Sequence, residues 1–277
     1  MNFITQFFLD LINGILQGVT GPIQPIIQLM GNTPLQYTTA NPIVIGVWNT
    51  LTAAADTFLV LLVTVKAIQM MYGQSTGTLY MPVSQFLPRL ILTAILIHLS
   101  FLLGQDLLIF NNQLCGLVQT NVQDFIQQVN GGQPFNVGQN LGLAAVLAVV
   151  FTFSLIRVLL QAIKRIVFFN VLFVLSGPAF LMSFDAQTAP WFSFWARTYV
   201  VTIFTQFFQF LTLGLGFQFL VATKQTGLTG FFLAIAMLNL TAEIPALLSR
   251  FSATAGANTA GIGALVRSAI TASLLFA

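Results

Sequence analysis

Few side chains in this 277-residue chain are of types that carry chemistry. It has six acidic residues, one histidine (His98) and one cysteine (Cys115). One histidine and one cysteine cannot form a two-histidine metal site or a C-x-x-C pair. The chain has no nucleotide-binding G-x-x-x-x-G-K-[ST] loop, no G-x-S-x-G nucleophile motif and no H-E-x-x-H pair. We therefore predict that it is not an enzyme and holds no metal or cofactor, so any active transport must draw energy from a partner or an ion gradient.

Three ionisable residues lie inside apolar segments, where lipid makes a charge costly. His98 precedes Asp106 by eight residues, which separates them by two helical turns and about 80° around a helix. They do not form a direct pair. We expect an interhelical hydrogen bond for His98, with a proton relay as the alternative, and a close-packed interface that satisfies the carboxylate of Asp56.

A stripe of uncharged polar residues follows one face of the segment YVVTIFTQFFQFLTLGLGFQF. Such a stripe either bonds to neighbouring helices or lines a water-filled passage, and the sequence leaves both alternatives open. The stripe consists of Thr202, Thr205, Gln206, Gln209 and Thr212 and continues to Gly216.

The elements that hold these residues are set by composition. The chain is 57% hydrophobic and only 5% charged, whereas a soluble domain averages about 25% charged residues. Too little charge is present to cover a water-soluble globule, while a polytopic membrane protein needs charge mainly in its loops. We predict an all-α fold, a polytopic α-helical integral membrane protein.

Crossing a bilayer takes roughly 20 apolar residues, and six segments are long enough. They cover residues 41–73, 87–110, about 141–160, 166 to about 184, about 198–221 and about 228–248. We therefore expect five to six transmembrane helices, with the last segment the one that need not cross.

Three domains follow from this pattern. Residues 1–40 form an N-terminal amphipathic interfacial helix and linker, read as mature sequence because no Lys or Arg precedes its apolar part. Residues 41–250 form the transmembrane domain, including an amphipathic external segment at 107–130. Residues 251–277 are a tail rich in small residues.

Orientation follows from the basic residues, which favour the cytoplasmic side. Residues 1–42 and 111–140 contain no Lys or Arg, so we place both outside, with the N-terminus. The pair Lys164 and Arg165 then becomes a cytoplasmic anchor between the third and fourth spans.

A helix breaker interrupts the fourth span. Pro178 has no N–H for the carbonyl of Val174, and Gly177 lets the helix bend there. Trp191 and Trp195 follow at the depth that indole rings favour. We predict a kinked hairpin, which either packs simply around the bend or shapes a channel or docking surface.

The segment from about 156 to 250 has a recognisable order of features. It reads RVLLQAIKRIVFFNVLFVLSGPAFLMSF, then PWFSFWARTYVVTIFTQFFQFLTLGLGFQFL, then an apolar run ending in EIPALLSR. A basic residue opens an apolar helix, a small-Pro pair follows, and a Trp-containing loop leads to a helix rich in Gln, Phe and Thr. In this order the chain resembles the TrbL-like polytopic inner-membrane subunits of conjugative and other type IV secretion systems.

This resemblance implies a subunit of a translocation channel in the bacterial cytoplasmic membrane, with several copies around a path for DNA or protein and a role in pilus assembly. Its partners would be the machine's ATPases, periplasmic channel and pilus subunits, besides membrane lipids. The family offers no catalytic residue to transfer, and the short ends of this chain give no basis for functions of long terminal domains. The alternatives are a stand-alone ion-coupled transporter or channel, or a membrane scaffold or assembly factor.

Overall fold

The computed structural model describes residues 28–76, 83–118, 141–185, 187–222, 226–227 and 229–250, which are helical apart from short turns and contain no strand. A short 3-10 helix, Leu35–Tyr37, comes first. The longer helices are α1 (Pro42–Thr76), α2 (Val83–Gly116), α3 (Leu141–Val174), α4 (Ser176–Met182), α5 (Ala189–Val221) and α6 (Thr229–Arg250). The predicted all-α fold is confirmed.

Four of these helices are long and apolar enough to cross a membrane. They are Pro42–Gly73, Phe86–Gly116, Ala189–Leu220 and Thr229–Arg250, and the bent pair Val149–Val174 and Ser176–Met182 makes a fifth if it counts as one span. Helices suit this role because each satisfies its own backbone hydrogen bonds in lipid. The chain is a multi-pass helical membrane protein.

The predicted third and fourth spans, 141–160 and 166–184, were wrong as separate crossings. Leu141–Val174 is one continuous helix, and the boundary placed at Lys164 and Arg165 lies inside it. No Gly or Pro occurs between Leu143 and Ser176, so nothing local ends the helix. Arg165 is buried against other helices instead of anchoring a loop in water.

The helix bends where the Gly-Pro pair predicts a kink. α3 and α4 are separated at Leu175 and meet at 52°. α4 then packs closely on α1. A Cβ added at Gly177 would lie only 3.0 Å from Thr52 Oγ1, so the absence of a side chain at Gly177 leaves room for this contact. The indole N–H of Trp48 reaches both Ser176 (3.2 Å) and Ser100 (3.3 Å), which ties α4 to α1 and α2.

Aromatic side chains fill the interior between α2, α3 and α5. Phe169 stacks on Tyr199 at 5.6 Å, and Phe173 is fully buried beside them. Gly104 of α2 makes this packing possible, since a Cβ there would come within 2.7 Å of the Phe173 ring. A second apolar cluster joins α3, α5 and α6 around Phe217. The site described below lies between these two clusters.

Three predicted segments lie wholly or largely outside the described residues: the N-terminal amphipathic helix, residues 119–130 of the external segment, and the tail at 251–277. The described start of the external segment, 107–118, mostly continues α2. Asn111 and Cys115 are fully buried there, so this part packs within the chain.

Candidate functional site

A buried amide cluster connects the segment before α1 to α2 and α5. Gln206 of α5 accepts a hydrogen bond from the Thr33 hydroxyl at 2.9 Å and donates to Asn112 Oδ1 at 2.8 Å. Asn112 in turn bonds both the N–H (3.1 Å) and the carbonyl (3.0 Å) of Thr33. Because buried amides are costly when unpaired, these bonds fix residues 31–33 between the helices.

Arg165 brings α3 into the same cluster. Its Nη2 donates to Thr33 Oγ1 at 3.1 Å, and the residue is only 8% exposed. Its Nη1 is also buried but has no hydrogen-bond partner among the described residues. A buried guanidinium with an unused donor is therefore a prominent polar feature of the interior.

The next part of the polar stripe faces α6 and α3. Gln209 is fully buried, and its Nε2 donates to the Thr241 carbonyl at 3.4 Å and to Gln161 Oε1 at 3.5 Å. The Thr241 hydroxyl donates to Thr212 Oγ1 at 2.9 Å. In this part of the stripe the polar groups join helices to one another.

The remaining stripe residues, Thr202 and Thr205, line a cavity of about 370 Å³ between α3, α5 and α6. Two cations, Lys164 and Arg165, contribute to its wall, and no carboxylate does. The lining residues are Gln161, Lys164, Arg165, Phe168, Thr198, Val201, Thr202, Thr205, Pro245 and Ser249. The stripe thus divides into a cavity-facing pair and a helix-bonding set of Gln206, Gln209 and Thr212.

The predicted hairpin residues occupy different environments. Trp195 donates its indole N–H to the Leu172 carbonyl at 3.0 Å and stacks on Tyr199 at 5.1 Å, so it fastens α5 to the end of α3. Trp191 is 66% exposed. α5 begins at Ala189 with Pro190 in its first turn, where the missing N–H costs no helical bond.

The turn between α4 and α5 is also tied to α1. Lys66 Nζ lies 3.6 Å from Asp185 Oδ2. Phe86 at the start of α2 packs edge-on against Phe184 at 5.6 Å. The end of α1, the start of α2 and this turn therefore share one end of the bundle.

His98 and Asp56 form an interhelical pair that faces outward. His98 Nε2 of α2 lies 3.5 Å from Asp56 Oδ1 of α1, and the two side chains are 64% and 40% exposed. Exposed apolar side chains surround them, including Ile95 and Leu102 on α2 and Val60 on α1. His98 thus has the partner on another helix that its position predicts, and the partner is Asp56.

Sequence reasoning did not anticipate Thr33 and Asn112, which hold the amide cluster together. Thr33 contacts residues 79, 132 and 173 positions away in the chain. No spacing rule along one helix links such distant positions. The available signal was the polar character of Asn112 late in an apolar segment.

Comparison with protein families, curated proteins and solved structures finds no match to this chain.

Proposed function

We propose that this chain is an inner-membrane subunit of a bacterial type IV secretion or conjugation machine, where it contributes to the path of DNA or protein and to pilus assembly. The proposed family rests on the resemblance of residues 156–250 to TrbL-like subunits. The observation that carries membership in a larger assembly is the outward-facing pair of Asp56 and His98.

This pair lies near the middle of two apolar spans, Pro42–Gly73 and Phe86–Gly116. A charged residue at the centre of a helix in lipid costs about 2.5–3.5 kcal/mol on insertion scales, and such residues almost always face protein or water. An outward position among Ile95, Leu102 and Val60 is therefore expensive in an isolated chain. Another membrane-spanning protein packed on this face, foremost a second copy of the chain, removes that cost.

The closed interior supports a path between subunits. Gln206 and Gln209 are buried, and both bond to residues outside α5 in the described bundle. A secreted strand or polypeptide has no room along that part of the stripe. The path in this proposal runs between several copies, or between copies and other subunits.

We also propose that the N-terminus lies outside. If the bent pair counts as one span, this orientation assigns five basic residues to the cytoplasmic side by their order in the sequence, and only Lys224 to the outside. The five are Lys66, Arg89, Arg197, Arg250 and Arg267. Such a distribution agrees with the cytoplasmic preference of Lys and Arg.

Site-specific photo-crosslinking in native membranes tests the assembly. A benzophenone amino acid at Ile95 or Leu102, beside the pair, is expected to give protein adducts, including adducts to a second copy. The matched control carries it at Phe194 of α5, which is 68% exposed. Lipid adducts alone at positions 95 and 102, with normal incorporation, would refute the covered face.

The same pair favours one other function, an ion-coupled transporter, since paired ionisable groups in mid-membrane are typical of transporters. Purified chain in liposomes decides between them. A transporter shows ion flux that Asp56→Asn abolishes. The secretion proposal expects no flux from the isolated chain, with or without the substitution.

A further inference from the structure

The cavity between α3, α5 and α6 carries positive charge that the chain does not neutralise. Lys164 and Arg165 both line it, and its other lining residues are neutral. Neither cation forms an ion pair with a carboxylate in the described ranges, unlike Lys66, which pairs with Asp185. Two cations in an apolar setting are energetically unfavourable unless an anion neutralises them.

Arg165 offers a donor for that anion. The residue is 8% exposed, its Nη2 is occupied by Thr33, and its buried Nη1 has no partner in the described part of the chain. An unmade bond of a buried charged group costs more than that of a neutral group. An anionic oxygen would supply a short, charge-assisted hydrogen bond.

Lys164 supplies the second charge from the rim. It neighbours Arg165 in the chain but is exposed, and its flexible stem lets the ammonium reach a ligand at the cavity mouth. The hydroxyls of Thr202 and Thr205 make the cavity wall polar but do not offer hydrogen-bond donors to a ligand. Each donates its hydrogen to a carbonyl of its own helix, at 2.7 and 2.6 Å. Binding would therefore depend on the two cations.

We propose that this cavity binds the phosphate of an anionic phospholipid headgroup. A volume of about 370 Å³ accommodates a headgroup, and basic pockets between transmembrane helices are known to hold such groups. Phe168 lines the cavity while remaining 48% exposed, and Ile163 on the same helix is 44% exposed. These apolar surfaces give the acyl chains a place beside the headgroup.

Bound lipid would brace the amide cluster. Arg165 holds Thr33 on one side and would hold the phosphate on the other, so the lipid connects α3, α5 and α6 to residues 31–33. The lipid would stabilise the folded chain by mass action. This site does not depend on the secretion role.

The test uses the full chain, purified in neutral detergent. Thermal unfolding and native mass spectrometry are followed during titration with phosphatidylglycerol, phosphatidylcholine or inorganic phosphate. We expect phosphatidylglycerol to raise the unfolding temperature and to form one retained adduct per chain. Phosphatidylcholine should do neither. Protection by inorganic phosphate equal to that by phosphatidylglycerol would overturn the assignment to lipid.

Two variants on one helix locate the site. Lys164→Gln removes an exposed charge of the cavity and should weaken phosphatidylglycerol binding about fivefold, the effect of one basic residue at an anionic surface. Arg157→Gln is the control, because Arg157 is exposed on α3 and does not line the cavity; its affinity should equal that of the parent chain. Equal affinities for the two variants would overturn the proposal. Because Lys164 is exposed, this comparison does not depend on altering the buried Arg165.

Discussion

Replacing Thr33 by valine probes the contact that unites the amide cluster. The substitution keeps the branched shape and removes one hydroxyl. That hydroxyl donates to Gln206 Oε1 at 2.9 Å and accepts from Arg165 Nη2 at 3.1 Å. Thr33→Val therefore leaves a buried amide oxygen and a buried guanidinium donor without these partners.

The expected loss follows from those two contacts. Hydrogen bonds between membrane helices contribute about 0.6 kcal/mol on average and up to about 1.7 kcal/mol. Two such bonds give roughly 1–3 kcal/mol, with the upper part favoured because one partner is charged. The residues around Thr33 should also become more accessible, since only the bonds of Asn112 to the Thr33 backbone and of Gln206 to the Gly31 carbonyl then hold residues 31–33.

Unfolding of the purified chain in mixed detergent measures this loss. Thr64→Val is the matched control: Thr64 is exposed, and its hydroxyl bonds to the Val60 carbonyl of its own helix. A double-mutant cycle with Gln206→Leu should give a coupling of about 1 kcal/mol, because the two side chains share a bond. Equal stability of the two valine variants, or zero coupling with Gln206, would refute the cluster as described.

Three further predictions concern packing, accessibility and the bend. The free energy of unfolding of Gly104→Ala should be about 1–3 kcal/mol lower than that of Gly116→Ala on the same helix. The reason is that an added Cβ clashes at 104 and meets nothing within 4 Å at 116. Equal thermal stabilities of the two variants would contradict this. Gln209→Cys should resist a water-soluble thiol reagent that labels exposed Gln187→Cys, and labelling at 209 would indicate a water-filled passage. Pro178→Ala restores a helical donor at the 52° bend, so it should lower substrate transfer in complemented cells at normal protein level; unchanged transfer would leave Pro178 a packing role alone.

Much of the fold could be predicted because its signals are local. Apolar runs predicted the first span and the start of the second to within one residue, since lipid requires long apolar helices. The second span, predicted to end at 110, continues to Gly116. The Gly177-Pro178 pair likewise indicates the bend through its missing N–H.

The loop predicted at Lys164 and Arg165 is absent, since both lie inside α3, and the burial of Arg165 depends on distant residues. A basic pair between two apolar runs is typical of a cytoplasmic loop. Here Arg165 is accommodated by Thr33, which lies 132 residues away in the chain. The contact of His98 with Asp56 is likewise set by the packing of α1 on α2, and spacing within one helix cannot predict it.

Mild isolation of the chain from its native membrane tests the central proposal most directly. A functional affinity tag and mass measurement of the intact particle report its partners and copy number. The secretion proposal predicts a large complex that contains several copies of the chain together with ATPases and periplasmic or pilus components. Recovery of a lone monomer that conducts ions in liposomes would contradict it.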